Sequence, residues 1–204
     1  VGMTLPGVGV RVVNDDGTEC AVGEIGAVQV NGPSVFGGYW RMPDKTKEEF
    51  TADGWFKTGD VGQFGGGNVP DRYLTLVGRS KDLIISGGYN VYPKEIEGYI
   101  DEIAGVVESA VIGVPHPDFG EAVVAVVVGK NGGVLDAPTI VDALKGRIAN
   151  YKVPKRVFVI DDLPRNTMGK VQKNVLRERY KSIFDITGDS VQIKTPSERV
   201  TARQ

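Results

Sequence analysis

Cysteine and histidine are almost absent from this sequence. Its 204 residues include one cysteine, Cys20, and one histidine, His116. A single cysteine excludes an internal disulfide, which fits the reducing conditions of the cytoplasm. A site built from several histidines is excluded as well, and a nucleophilic Cys–His pair is not expected because the two residues lie far apart in sequence.

An excess of charge of one sign and long apolar runs are also lacking. The 24 lysines and arginines nearly balance the 26 aspartates and glutamates. No basic field therefore attracts nucleic acid or an anionic membrane surface. The longest apolar run covers residues 122–128, far short of the ~20 residues that a membrane-spanning helix needs. We expect a cytoplasmic protein that binds no nucleic acid and has no membrane span.

Glycine and turn-forming residues dominate the first part of the chain, residues 1–79. Apolar residues form only short runs there, separated by Asp-Gly pairs and a glycine run. This texture predicts a small barrel or sheet subdomain. Because no start signal precedes the first strand, we expect a fragment of a longer protein. The expected elements are strands at residues 8–13, 27–30 and 73–77, a helix at 44–50 and a loop at 65–70.

Strands alternate with helices over residues 83–184. Helices are expected from Pro93, Pro138 and Lys173, because proline suits the first helical position and apolar residues recur every three or four positions. Three helices against a small sheet predict an α+β domain, and the polar residues 185–204 predict a frayed tail. The expected strands are 83–85, 106–114, 122–128 and 156–160, and the expected inward helix faces are Ile96, Ile100 and Ile103; Val141, Leu144 and Ile148; and Val175, Leu176 and Tyr180.

Two short motifs carry groups suited to chemistry on a nucleotide. Lys-Thr-Gly-Asp at residues 57–60 ends in Asp60, whose carboxylate oxygens can accept hydrogen bonds from the two hydroxyls of a ribose. An aspartate in a turn is the simpler interpretation of this motif. Residues 163–170 present Lys170 on a glycine-containing loop, where its ammonium group could neutralise a carboxylate and a phosphate. Most lysines, however, are ordinary surface residues.

A third motif, residues 78–97, lies where the β-rich texture gives way to alternating strands and helices. Four charged or polar residues, 79–82, occupy this joint, which can act as a hinge. Gly87 and Gly88 lack side chains, so a backbone or a thin ligand arm could approach them closely. A linker followed by a β-turn is the alternative interpretation.

The order and spacing of these motifs resemble the adenylate-forming superfamily, which includes acyl-CoA synthetases, peptide-synthetase adenylation domains and luciferases. The resemblance covers roughly residues 1–184 and is greatest to malonyl-CoA synthetases, at residues 37–43, 85–95 and 162–173. It implies an α+β fold in two parts. Residues 1–79 would be the β-rich end of a large amino-terminal domain, 80–82 a hinge, and 83–184 a small mobile carboxyl-terminal domain with a three-stranded sheet and helices.

The resemblance also implies a reaction in two halves. A carboxylic acid and ATP, with Mg²⁺, would give acyl-AMP and pyrophosphate, and the thiol of coenzyme A would then displace AMP. The implied roles are ribose binding by Asp60, contact with ribose or phosphate by Arg79, a place near the nucleotide for Asn90, the hinge at Lys81, and contact of Lys170 with the carboxylate and α-phosphate. For coenzyme A, the implied residues are Gly87, Gly88 and Tyr89 along the pantetheine tunnel and Lys155 at the CoA phosphates.

The remaining machinery of the family is expected upstream of this sequence. That machinery comprises the phosphate loop, the adenine patch, the magnesium ligand and most of the acyl pocket. We therefore expect no metal site in residues 1–204 and no adenylation by them alone. The family also suggests a lysine acetyltransferase acting on Lys170. Alternatives are a fatty acid–CoA ligase of another chain length, a peptide-synthetase adenylation domain, luciferase-like oxygenation, and a non-catalytic binding module.

Overall fold

The computed structural model describes residues 2–130 and 135–185, so the predicted tail lies outside the described residues apart from Asp185. The strands are β1 Gly9–Val13, β2 Gly26–Asn31, β3 Phe56–Gly66, β4 Val69–Arg79, β5 Ile84–Ser86, β6 Tyr89–Val91, β7 Val106–His116, β8 Gly120–Gly129 and β9 Arg156–Ile160. The helices are α1 Pro43–Glu49, α2 Pro93–Asp101, α3 Ala137–Leu144 and α4 Lys173–Tyr180, with 3₁₀ turns at Ser80–Asp82 and Asn150–Lys152.

The first sheet is an antiparallel meander in the order β1-β2-β3-β4. The sequence prediction of this region was incomplete, because β3 was not foreseen and β4 was expected to be shorter. Glycine explains the error, since it is usually rare in strands. At Gly62 of β3, an added Cβ would lie 2.7 Å from the carbonyl oxygen of Thr75, so glycine is required for the close approach of β4.

The second sheet has five strands, with β8 at its centre. Strand β7 pairs antiparallel with one edge of β8, while β5 and the parallel strand β9 pair with the other edge. The expected sheet of three strands was therefore too small. Strand β5 was expected at residues 83–85, but β6 was missed because its three residues are too few for an apolar period to reveal it.

Both faces of this second sheet are covered by helices. Val123, Ala125 and Val127 of β8 point to a core shared with α2 and α3, and the alternate residues Val124 and Val126 point to a core shared with α4. Burial on both faces explains the uninterrupted apolar run that the sequence shows here. Among the described residues, no helix has the length and apolar character needed to cross a bilayer.

The predicted helices of this second unit are confirmed, but three of their inward residues were placed wrongly. Helix α2 ends at Asp101 and α3 at Leu144, so Ile103 and Ile148 pack against the core from the chain that follows each helix. The backbone of Lys145 is extended, which ends α3. Val175 is 42% exposed, because α4 turns the i, i+4 pair Leu176 and Tyr180 inward instead.

Candidate active site

Asp60 and Arg79 face each other across neighbouring strands. They are partners in the register of β3 and β4, and Arg79 Nε lies 2.8 Å from Asp60 Oδ1. The N–H of Asp60 donates to Thr58 Oγ1 at 3.0 Å, which fixes the backbone before the carboxylate. Asp60 is therefore a strand residue and not a turn residue. The two side chains are 25% and 53% exposed, so a ligand can reach both.

The joint between the two sheets is the 3₁₀ turn Ser80–Asp82. Ser80 Oγ donates a hydrogen bond of 3.2 Å to the carbonyl of Gly59, next to Asp60. Asp82 forms an ion pair of 2.6 Å with Arg177 of α4. Lys81 lies exposed between these two attachments and forms no ion pair with a described residue. The turn is thus tied to the first sheet on one side and to α4 on the other.

Lys170 is carried by a tightly closed loop, residues 164–172. The N–H groups of Met168 and Lys170 both donate to Asn166 Oδ1, at 3.0 and 2.9 Å. Arg165 donates to the carbonyl of Gly169 at 2.7 Å and pairs with Glu108 of β7. The hydrogen bond and the charge of Glu108 raise the pKa of Arg165. The loop backbone is therefore ordered, while the Lys170 side chain is exposed.

A cationic cavity of about 420 Å³ lies between the joint and this loop. Among the described residues that line it, Asp82 is the acidic one. Lys81 and Lys170 form no ion pair with a described residue, so their ammonium groups are available to an anion. Arg79 links the cavity to Asp60. The structure thus brings together three predicted residues that suit a nucleotide phosphate, Arg79, Lys81 and Lys170. The basic lining residues are Arg79, Lys81, Lys170, Lys173 and Arg177.

Gly87 and Gly88 form the turn of the β5–β6 hairpin. Their φ angles are +58° and +83°, a conformation that side chains with a Cβ rarely adopt. The N–H of Gly87 donates to the carbonyl of Phe119 at 2.9 Å. Nothing lies within 4 Å of a Cβ built on Gly88, so the outer side of the turn is open.

Aromatic and cationic side chains surround this glycine turn. Tyr89 stacks on Tyr151 with a ring separation of 4.5 Å. Lys155 Nζ lies 5.2 Å from the centre of the Phe119 ring, beside Gly87. Tyr89 and Lys155, both predicted from the sequence to contact coenzyme A, therefore lie near the same glycine turn. Sequence reasoning missed Phe119 and Tyr151, because each reaches the turn only through tertiary packing and neither belongs to a recognisable motif.

The central strand β8 separates Lys170 from the glycine turn. Arg165, in the Lys170 loop, is attached to β7, which occupies one edge of β8. Gly87 and Lys155 bond at the other edge, where the N–H of Lys155 donates to the carbonyl of Val123 at 2.8 Å. The two groups of residues therefore present different surfaces of the same small unit.

Asn90 is the predicted residue that the structure does not bring to the nucleotide side. It pairs with Ile85 in the β5–β6 hairpin, one position after Tyr89. No hydrogen bond or ion pair joins it to Asp60 or Arg79 within residues 2–130 and 135–185. The same described ranges contain no cluster of three His, Cys, Asp or Glu side chains that could hold a metal ion.

These features define a carboxyl-terminal domain of a known enzyme class. Residues 95–170 match the family described as AMP-binding enzyme C-terminal domain, and the chain belongs to this family of adenylate-forming enzymes. Its curated relatives include CoA ligases of several acids. The indoleacetate–CoA ligase of Aromatoleum aromaticum is 43% identical, over 87% of this chain and 34% of its own length.

Solved structures of similar proteins extend the likeness to three dimensions. ATP-bound MatB from Rhodopseudomonas palustris is 57% identical, with a TM-score of 0.84, over 90% of this chain and 36% of that one. Apo MatB has the same identity and coverage but a TM-score of 0.68. The chain thus spans about a third of the length of the proteins it matches.

Proposed function

We propose that this chain is the carboxyl-terminal part of an AMP-forming acid–CoA ligase, an acyl-CoA synthetase. The observation that carries the proposal is the placement of Lys170 in a cationic cavity beside Arg79, with an open glycine turn at the opposite edge of the same sheet. One small unit thereby offers an ammonium group on one surface and a side-chain-free channel wall on another. A ligase with two half-reactions needs both.

The cavity around Lys170 suits the first half-reaction. A carboxylate oxygen of the acid attacks the α-phosphorus of ATP, and pyrophosphate leaves. Lys170 contacts the carboxylate and the α-phosphate and offsets the negative charge that increases between them. Asp60 accepts hydrogen bonds from the ribose hydroxyls, and Arg79 holds the ribose or phosphate while fixing Asp60. Mg²⁺ would be held by residues outside this sequence and would neutralise the leaving pyrophosphate.

The glycine turn suits the second half-reaction. The sulfur of coenzyme A attacks the acyl carbon of the adenylate, and AMP leaves. Gly87 and Gly88 leave room for the thin pantetheine arm, and Tyr89 lies beside them. Lys155 supplies positive charge for the phosphates of coenzyme A. Asn90 belongs to the same hairpin and reaches the nucleotide only in a pose that brings this hairpin to the active site.

A rotation about Lys81 would let the two surfaces take turns. Residues 1–79 and 83–184 would move as two bodies, and the ion pairs flanking the joint leave Lys81 as the free link. The TM-score is higher with ATP-bound MatB than with apo MatB, although the sequence identity is the same. This difference supports an arrangement of the two units close to that of the nucleotide-bound enzyme. Conformational steps of this kind are common in enzymes that assemble one site twice.

Malonate is the acid we propose. The support is the 57% identity with MatB, a malonyl-CoA synthetase, compared with 38–47% for curated CoA ligases of other acids, together with the malonyl-CoA synthetase-like stretches of the sequence. The pocket that selects the acid would lie in an upstream domain, which would be the main partner of this chain. Lys170 is exposed and thus accessible to a lysine acetyltransferase, which would silence the first half-reaction. The cytoplasmic location stays a prediction.

An assay of the full-length protein tests this function. AMP release should be measured with ATP, Mg²⁺ and coenzyme A, using malonate, methylmalonate, acetate and a medium-chain acid. We expect the highest kcat/KM with malonate. A preference for another acid would support the ligase function but contradict malonate as the substrate. If no acid caused AMP release, the proposed ligase function would be wrong.

A further inference from the structure

Lys173 connects the Lys170 loop to a buried carboxylate. It is the first residue of α4, three positions after Lys170, and its Nζ lies 2.6 Å from Glu97 Oε1 of α2. The two side chains are 18% and 8% exposed, so this ion pair is largely removed from water. Lys173 also lines the cavity that holds Lys170.

Glu97 is itself fixed from two sides. Its backbone belongs to α2, whose neighbouring residues Ile96 and Ile100 are fully buried in the core. Its Oε1 also accepts a hydrogen bond of 2.9 Å from the N–H of Val111 in β7. Strand β7 lies at the edge of its sheet, so the N–H of Val111 has no neighbouring strand to bond to. The carboxylate of Glu97 accepts its hydrogen bond instead.

Two ion pairs therefore bracket the Lys170 loop. Arg165 attaches its beginning to Glu108 of β7, and Lys173 attaches its end to Glu97 beside the same strand. Between these attachments the loop contacts itself through Asn166 and packs Val171 against the core beside α4. The two ion pairs and this packing together set the position of Lys170 relative to the sheet.

We propose that Glu97 and Lys173 are positioning residues that hold Lys170 for the first half-reaction. This inference rests on the proposed ligase function. A buried ion pair is weak evidence for stability, since apolar replacements are often neutral, so a positioning role explains the pair better. A displacement of Lys170 by about 1 Å could lower the rate by about 10²-fold. The second half-reaction uses the opposite edge of the sheet and should not need the pair.

The test compares the two half-reactions in full-length variants. In Lys173→Met, adenylate formation measured by ATP–pyrophosphate exchange should fall about 10- to 100-fold. Thioester formation from supplied acyl-adenylate and coenzyme A should stay within about twofold of wild type. Lys173→Arg keeps the charge and should restore most of the exchange. Glu97→Gln keeps an oxygen for Val111 but loses the ion pair, so it should resemble Lys173→Met.

A second readout does not depend on activity. Hydrogen–deuterium exchange of residues 164–172 should be faster in Lys173→Met than in wild type. Lys145→Met removes an exposed ion pair with Asp142 on α3 and is the matched control, with no change expected in the loop. Unchanged loop exchange, or an equal loss in both half-reactions, would overturn the positioning role. If the wild-type protein released no AMP, the proposed ligase function would be wrong. Hydrogen–deuterium exchange of the loop would still show whether the Glu97–Lys173 pair anchors it.

Discussion

At the scale of single residues, substitutions of Lys170 and Lys155 should impair different half-reactions. Lys170 lines the cationic cavity, whereas Lys155 lies against Phe119 near the glycine turn. Lys170→Ala should lower adenylate formation by about 10²–10³, because it removes an electrostatic group aimed at developing charge. Thioester formation from supplied acyl-adenylate should be nearly unchanged.

Lys155→Ala is the matched control for that experiment. It should raise the KM for coenzyme A and leave ATP–pyrophosphate exchange intact, because its ammonium group lies over the Phe119 ring and not in the Lys170 cavity. Steady-state kinetics of each half-reaction provide the measurement. If both variants lost both half-reactions to the same extent, the division of labour between the two surfaces would be wrong.

A single methyl group tests the packing of the first sheet. A Cβ on Gly26 of β2 would lie 2.4 Å from the carbonyl oxygen of Val13, a backbone atom that cannot move aside easily. Gly26→Ala should therefore reduce the free energy of unfolding by about 1–3 kcal/mol, as overpacked cores do. The measurement is the urea midpoint in the full-length protein.

Gly98→Ala is the control for this packing prediction. Gly98 lies within α2, and a Cβ added there would have no heavy atom outside its own helix backbone and adjacent residues within 4 Å. Alanine should stabilise the helix there by up to about 1 kcal/mol. Equal midpoints for the two variants would contradict the close contact at Gly26.

Asp60, Lys81 and Lys170 could be identified as candidate residues from the sequence because each belongs to a contiguous motif. Phe119 and Tyr151 could not, since they come near the glycine turn only when β8 and a 3₁₀ turn pack beside the β5–β6 hairpin. Contacts of this kind depend on tertiary structure, which no local pattern encodes. The catalytic roles of the motif residues stay predictions until the half-reactions are measured.

At the scale of elements, the β5–β6 hairpin offers a test of the open channel wall. Both Gly88→Ala and Gly88→Leu place a Cβ at a φ of +83° and share the same backbone strain. The leucine adds bulk on the open side of the turn. Thioester formation should therefore fall much more in Gly88→Leu than in Gly88→Ala, by about tenfold or more if the arm of coenzyme A passes there.

Adenylate formation is the internal control for these two hairpin variants. It should be similar in both, because the hairpin lies away from the Lys170 cavity. A stopped-flow measurement of AMP release from preformed adenylate would separate the steps. Equal thioester rates in the alanine and leucine variants would show that no ligand passes the turn.

The helices were easier to predict than the strands. Apolar spacing and proline located α2 and α3, and the predicted inward residues Ile96, Ile100 and Leu144 are buried. Strand β3 was missed because its sequence, rich in glycine and polar residues, resembles a loop, although Gly62 is needed for the close approach of β4. Strand propensity reflects packing against neighbouring strands. Where two strands approach unusually closely, as β3 and β4 do at Gly62, composition alone does not predict the strand.

At the scale of the whole molecule, the change in texture near residue 80 corresponds to the boundary between two sheets. The proposed motion of one sheet relative to the other would depend on the short joint between them. Arg79 and Ser80 are tied to the first sheet and Asp82 to Arg177, so a rotation would be concentrated at Lys81. The expected inactivity of residues 1–204 alone likewise stays a prediction.

The rotation can be observed as a change in distance between two dyes. Cysteines at Asn68, in the exposed β3–β4 turn, and Lys145, after α3, would report on the two units in a full-length protein with Cys20→Ser and no other reactive cysteine. Energy transfer between them should change when coenzyme A or a non-reactive analogue is added to the adenylate-bound protein. A pair at Lys145 and Glu178 lies within the second unit and should show no change. An unchanged signal from the first pair, in a protein that still forms the thioester, would mean that the two surfaces reach one active site without rotation about Lys81.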